Sequence, residues 1–193
     1  MSYSYGLSII NTFLVSNAKI VVCEDSIANK NFWKYFNHYK ITNLNGVPKF
    51  YEFLNKLKFE NFNKNSLRFI TQAGGNLDLK YKKYLYNLSK NNKFIFYIMY
   101  GLTEASPRVS VLNVNKNKNK INSVGKPIKG VSIKIKLSKK NKKSGIIEIY
   151  GKNICLGYSE KINDLKKSDE NNFKFISEDV GFLDKDKFLY ILK

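Results

Sequence analysis

The chain has 193 residues and a formal net charge of +19, from 34 Lys+Arg against 15 Asp+Glu. At 43% hydrophobic and 15% aromatic it can bury an ordinary core, which excludes disorder despite the charge. Two cysteines, Cys23 and Cys155, without Cys-x-x-Cys spacing, and a single histidine, His38, exclude a disulfide framework and a zinc cluster and make a reducing cytoplasm the expected setting. In chain order, the apolar stretch Leu7 to Val22 is interrupted by Asn11, Thr12, Ser16, Asn17 and Lys19, so it predicts no membrane span. The residues ahead of it lack a basic region and a small-residue cleavage site, so no secretory signal is expected. Ile20-Val21-Val22 predicts a short strand. Ile27, Phe32, Trp33, Phe36 and Tyr39 recur at helical spacing over Ser26 to Tyr39, with Trp33 in the core and His38 on the surface. Ile41 to Val47 predicts a strand, and Pro48 suits the first turn of a helix carrying Phe50, Tyr51, Leu54 and Leu57 on one face. Leu67 to Ala73 predicts a third strand. After Gly74-Gly75, Asn76 is the expected cap of a helix whose Leu77, Tyr81, Tyr84, Leu85 and Leu88 form one stripe. Phe94 to Tyr100 completes the series of four strands separated by three helices, the pattern of βαβ units and a mainly parallel sheet.

Beyond the lysine run Lys116 to Lys120 the rhythm changes. Val131, Ile133, Ile135 and Leu137 alternate with Ser132, Lys134 and Lys136, the period of two of a half-buried antiparallel strand. Ile146 to Tyr150, Val180 to Leu183 and Phe188 to Leu192 predict further strands, with turns at Ser144-Gly145 and Asp184-Lys185-Asp186. The predicted fold class is therefore α/β: a mainly parallel, incomplete sheet with flanking helices over residues 1–115, then a small β-rich partial barrel over 116–193. Cys23 and Cys155 lie in apolar surroundings and read as small buried hydrophobes.

Charge alone does not make this a nucleic-acid binder. The cations comprise 32 lysines and only two arginines, Arg68 and Arg108, beside 25 asparagines, a Lys/Asn bias that skewed base composition explains. Base readout favours the arginine fork, and the runs at Lys116 to Lys120 and Lys139 to Lys143 read as solvated loops.

Chemistry concentrates at Tyr100-Gly101-Leu102-Thr103-Glu104, directly after an apolar strand, where open α/β sheets place their ligands. An aromatic face, a glycine that admits close backbone approach, a hydroxyl and a carboxylate make a nucleotide site; on five residues alone, a strand end turning at Gly101 with Glu104 in solvent is the better reading. The order of several segments changes this balance. Together with Tyr100 to Glu104, Gly74-Gly75-Asn76, Ser123-Val124-Gly125-Lys126-Pro127 through Gly130, Gly145-Ile146-Ile147-Glu148 through Gly157-Tyr158, and Asp179-Val180-Gly181 follow one another as in the adenylate-forming superfamily, which the chain resembles. Tyr3-Ser4-Tyr5-Gly6 is similar to its aromatic segment, and Gly46-Val47-Pro48 to its loop before a helix.

The resemblance implies an AMP-dependent ligase using ATP and Mg²⁺ to activate a carboxylic acid as an acyl adenylate, which passes to a thiol or amine acceptor such as CoA or a carrier protein. By position it implies that Tyr100 stacks on adenine, that Gly74, Gly75 and Gly101 border the nucleotide, and that Asp179 accepts from the ribose hydroxyls. It also implies that Thr103 bonds the α-phosphate and Glu104 holds Mg²⁺, with Tyr3, Tyr5, Gly46 and Val47 toward the acyl group. Where the family has Thr-Gly-Asp this chain reads Ser177-Glu178-Asp179, placing a side chain and a negative charge beside the ribose position. The family's phosphate loop precedes the aromatic segment and its mobile carboxy-terminal domain follows the hinge. The expectation is therefore a central fragment, inactive alone, which is a domain-sized excerpt, one piece of a split gene whose partners are the remaining parts as separate chains, or a degenerate remnant. The alternative is a non-catalytic remnant or interaction module that keeps the fold, with nucleic-acid binding a distant third.

Overall fold

A polar side chain inside a helix competes for its backbone, and the first helix is threaded with such groups. In the computed structural model, which describes residues 3–137 and 143–192, α1 spans Ser4–Val15. Ser8 Oγ donates to the Tyr5 carbonyl (2.7 Å), and Thr12 Oγ1 to that of Ser8 (2.6 Å). Thr12 is among the residues that interrupt the apolar stretch, and among the described residues no helix is long and apolar enough to cross a membrane.

Two compact units make up the chain: Met1–Ile98 with Asn113–Ile121, and Met99–Leu112 with Asn122–Lys193. In the first, α2 (Lys30–His38) is capped by Asn29, whose side chain accepts from the Asn31 amide. Strand β1 (Asn43–Gly46) leads through α3 (Pro48–Lys56) to β2 (Phe69–Gln72), then through α4 (Leu79–Asn91) to β3 (Ile95–Gly101), whose last residues, from Met99 on, belong to the second unit. Both pairings are parallel, with Leu44 opposite Ile70 and Ile70 opposite Phe96, so two helical crossovers return the chain as parallel strands require. Pro48 opens α3 as its lack of an N–H dictates. Trp33 is buried as expected, its Nε1 donating to the Ile27 carbonyl at 2.8 Å and its rings packed on Phe36, Phe59 and Phe62. His38 is exposed at the end of α2.

Three expectations are corrected here. Ile20 to Val22 forms no strand; Val22 is 70% exposed and the segment has no ladder partner, which a β-branched run needs before it counts as sheet. Asn76 does not cap α4. Asp78 holds that place, because Gly75 (φ +145°) and the buried Leu77 keep the chain extended past Asn76, whose Oδ1 accepts from Lys82 Nζ at 3.3 Å. Cys23 and Cys155 are free and half-buried, each on a segment outside regular structure, so neither is a core residue.

In the second unit, β4 (Arg108–Asn113) pairs antiparallel with the short β5 (Lys126–Pro127), a pair the sequence did not announce. The strand order of this mixed sheet is β1-β2-β3-β4-β5. Strands β6 (Val131–Leu137), β7 (Gly145–Gly151), β8 (Lys174–Leu183) and β9 (Leu189–Leu192) form a curled antiparallel half-barrel in sequence order. The period of two in β6 is realised: Ile133 pairs with Ile149 and Ile135 with Ile147, and this face packs with Tyr100, Ala105, Val109, Ile154 and Leu189. Of the lysine runs, Lys116 and Lys118 are exposed, while 139–142 lie outside the described residues.

Tyr51 is completely buried on α3 and donates to the Thr71 carbonyl at 2.6 Å and that of Leu44 at 3.3 Å. Burial pushes its phenol well above the ordinary value. Tyr51→Phe should lower unfolding free energy by about 1–2 kcal/mol at neutral pH, the cost of leaving buried acceptors short of a donor. Above about pH 10 the unfolded phenol ionises while the folded one keeps its proton, so the wild type loses stability as pH rises and the wild-type advantage shrinks. Denaturant melts of both proteins across pH 7–11 check both statements.

Candidate active site

Strand β3 can end as it does only because Gly101 has no side chain: a Cβ there would lie 1.6 Å from the Pro107 carbonyl oxygen. The chain then turns through a 3₁₀ segment, Thr103–Ala105, passes Ser106 in the left-handed region (φ +54°) and returns as β4. Ala105 is fully buried and pins the turn to the core, whereas Thr103 is exposed and Glu104 half-buried. Tyr100 points into the same core and donates from its Oη to Asp179 Oδ2 at 2.6 Å. Burial first, and that carboxylate second, drive its phenol pKa far upward.

Asp179 stands on a bulge. Across β7 and β8 the register passes from Ile146 opposite Val180 to Glu148 opposite Ile176, so Ser177, Glu178 and Asp179 share the space facing Ile147. The buried Ser177 hydroxyl fastens the bulge, donating to the Ile147 carbonyl at 3.1 Å and accepting the Asp179 amide at 3.2 Å. Glu178, where the motif has glycine, points its side chain into solvent.

Glu104 is held at both ends. Its carbonyl accepts the Cys155 amide at 2.8 Å and its Oε1 accepts the Tyr158 hydroxyl at 2.7 Å. Asn153 Nδ2 donates to the carbonyls of Ala105 (2.7 Å) and Arg108 (3.1 Å), fastening the 151–158 loop to the same turn. The bond to Glu104 pushes the Tyr158 phenol up to about 12. Asn153, Tyr158 and Ser177 were given no role by the sequence; Gly157-Tyr158 stood in a motif, but nothing in the spacing joins positions 54 residues apart.

The remaining candidates lie in the first unit. Gly74 (φ +73°) and Gly75 (φ +145°) turn the chain beneath β2, and Gln72 Nε2 holds the Gly75 carbonyl at 2.7 Å. Their Cα positions abut Val47 and Pro48, so added methyls would reach those side chains at 3.2 Å. Gly46 is constrained more tightly, by the Phe50 ring, which a Cβ there would meet at 2.4 Å. Tyr3 and Tyr5 line a mainly apolar cavity of about 380 Å³ with Ile9, Phe13 and Phe36; Gly46 and Val47 are not in its wall. Tyr5 is also a structural residue: since Thr71 Oγ1 donates to Asn45 Oδ1 (2.6 Å), the Tyr5 hydroxyl donates to Thr71 Oγ1 (2.6 Å), tying α1 to β2.

The family model described as "AMP-binding enzyme" matches residues 1–159. The chain belongs to the AMP-binding enzyme family. Curated relatives are named 2-succinylbenzoate–CoA ligase: that of Bacillus velezensis is 30% identical over 132 residues, covering 66% of this chain and 26% of that protein. That of Oceanobacillus iheyensis is 32% identical over 94 residues, covering 48% and 19%. The chain thus spans about a quarter or less of these relatives' length. Among solved structures, the o-succinylbenzoate CoA synthetase of Bacillus subtilis with ATP and magnesium ion superimposes with a TM-score of 0.78 at 22% identity, over 99% of this chain and 39% of that one. VinN with L-aspartate gives 0.79 at 23%, over 100% and 47%. These establish the fold: this AMP-binding family chain has the mixed sheet and half-barrel of such enzymes.

Among the described residues no group of three or more His, Cys, Asp or Glu side chains gathers as a metal cage. A lone carboxylate such as Glu104 suits Mg²⁺ nonetheless, since that ion commonly takes one or two protein carboxylates and completes its octahedron with water and phosphate. Gly101→Ala should cost at least about 3 kcal/mol, because backbone must move to admit the methyl group. Thermal melts read this loss, and an unchanged midpoint would contradict the close approach of Pro107.

Proposed function

We propose that this chain carries the adenine-, ribose- and metal-binding part of an ATP-dependent carboxylate–CoA ligase. The observation that carries the reading is the union, within one unit, of Tyr100 and Asp179, two motif residues 79 positions apart. Tyr100 offers its ring to adenine, bordered by Gly101. Asp179 gives Oδ2 to the phenol and keeps Oδ1 for the ribose hydroxyls. Thr103 donates to an α-phosphate oxygen, and Glu104 holds Mg²⁺, which when bound supplies positive charge to the phosphates. Tyr3, Tyr5, Gly46 and Val47 serve the acyl group.

In the reaction a carboxylate oxygen of the acid attacks the α-phosphorus of ATP, the bond to the β-phosphate breaks and pyrophosphate leaves. A thiol then attacks the acyl carbon, loses its proton and releases AMP. Residues of this chain position the reactants and stabilise charge, the main terms for such transfers. The curated relatives' name supports CoA as the thiol and 2-succinylbenzoate as the acid to test first.

ATP binding to the 193-residue chain, measured by equilibrium dialysis with and without Mg²⁺ at 0.15 M salt, tests the reading. Mg²⁺ should tighten binding to the wild type, and Glu104→Gln should abolish most of that gain, about tenfold or roughly 1.4 kcal/mol. Equal Mg²⁺ dependence in the two proteins would remove Glu104 from the site.

A further inference from the structure

We infer that Tyr158 is a positioning residue for the metal-binding carboxylate: it holds Glu104 in one orientation and leaves Oε2 to a divalent cation. The inference rests on the metal role proposed above for Glu104. An unrestrained glutamate samples many rotamers, and fixing it on binding costs conformational entropy. Here that ordering is already in place, because the phenol donates to Oε1 at 2.7 Å. The phenol is itself positioned. Its loop is bonded to residue 104 through the Cys155 amide, to Ala105 and Arg108 through Asn153, and on its far side to Asn171, whose Nδ2 reaches the Cys155 carbonyl at 2.8 Å. The Glu170 amide donates to the Leu156 carbonyl at 2.8 Å, and at Gly157 a Cβ would come within 2.6 Å of Glu170 Oε2, so the chain just before Tyr158 has little room to move.

The exposure of Tyr158 accords with this role. At 67% exposed, its ring adds little to the core, so a hydroxyl placed against Glu104 is the main thing its position achieves. Tyrosine is well suited to hold a metal-binding carboxylate, because it donates a hydrogen bond without bringing the positive charge that lysine or arginine would set against a cation. Hydrogen-bonded partners of metal ligands raise affinity by fixing ligand orientation, typically by 10- to 100-fold. This pair faces solvent, so a smaller effect is expected.

The test is Mn²⁺ titration of the full 193-residue chain in the presence of α,β-methylene-ATP at 0.15 M salt, with free Mn²⁺ read by electron paramagnetic resonance. Wild type, Tyr158→Phe, Glu104→Gln and the double variant are compared, and circular dichroism melts without metal establish that each is folded. Tyr158→Phe should weaken Mn²⁺ binding by roughly 3- to 10-fold, with a melting midpoint like the wild type's. The double variant should bind no more weakly than Glu104→Gln, because Tyr158 acts only through Glu104. Loss in Glu104→Gln with none in Tyr158→Phe, or additive losses, would overturn the role of Tyr158 and leave that of Glu104 standing. No loss in Glu104→Gln would overturn both.

Discussion

A phenol buried at the end of a strand must find an acceptor for its O–H, and Asp179 is the acceptor that Tyr100 finds. Much of the second unit follows from satisfying that bond. Its carboxylate must reach the end of β3 from β8, a strand paired in regular register on both sides of the point of departure, and a bulge is how an antiparallel ladder re-aims one side chain without ending. Ser177 stabilises the bulge, and Gly101, immediately after Tyr100, lets the chain fold back beneath Pro107 to present Thr103 and Glu104.

The same economy explains the substitution at Glu178. The bulge turns that position toward water, so a charged side chain is accommodated without burial, and its backbone stays out of the left-handed region where glycine alone would be at ease. The arrangement of Tyr100 and Asp179 survives the change. What it alters is the charge beside Asp179, in a chain that is strongly cationic as a whole.

Much of this was legible in the sequence because periodicity reports burial. The alternation Val131 to Leu137 became β6 residue for residue, and Pro48 marked the start of α3 through chemistry that belongs to proline alone. Short apolar runs were less reliable: Ile20 to Val22 has the composition of a strand but no ladder partner, and only pairing makes a strand. Conversely β4 was passed over although Val109 and Val111 alternate with Ser110; beginning at an arginine and holding a buried serine, it owes much of its state to its neighbours. At the site, residues adjacent in sequence, Tyr100 to Glu104, could be read as a group. Tyr158, Asn153 and Ser177 could not, since their roles lie in bonds to residues dozens of positions away.

The proposed function requires that Glu104 and Asp179, carried by one unit, face the same metal–nucleotide complex. Paramagnetic broadening of backbone amide signals by Mn²⁺ with ATP measures this directly, because the effect falls steeply with distance from the ion. Gly101, Thr103, Glu104 and the Ser177 to Asp179 bulge should broaden first, and Mg²⁺ should compete the effect away. Broadening concentrated at the lysine-rich segment 116–120, with residues 101–104 untouched, would show that the nucleotide is drawn by charge alone and would contradict the proposed function.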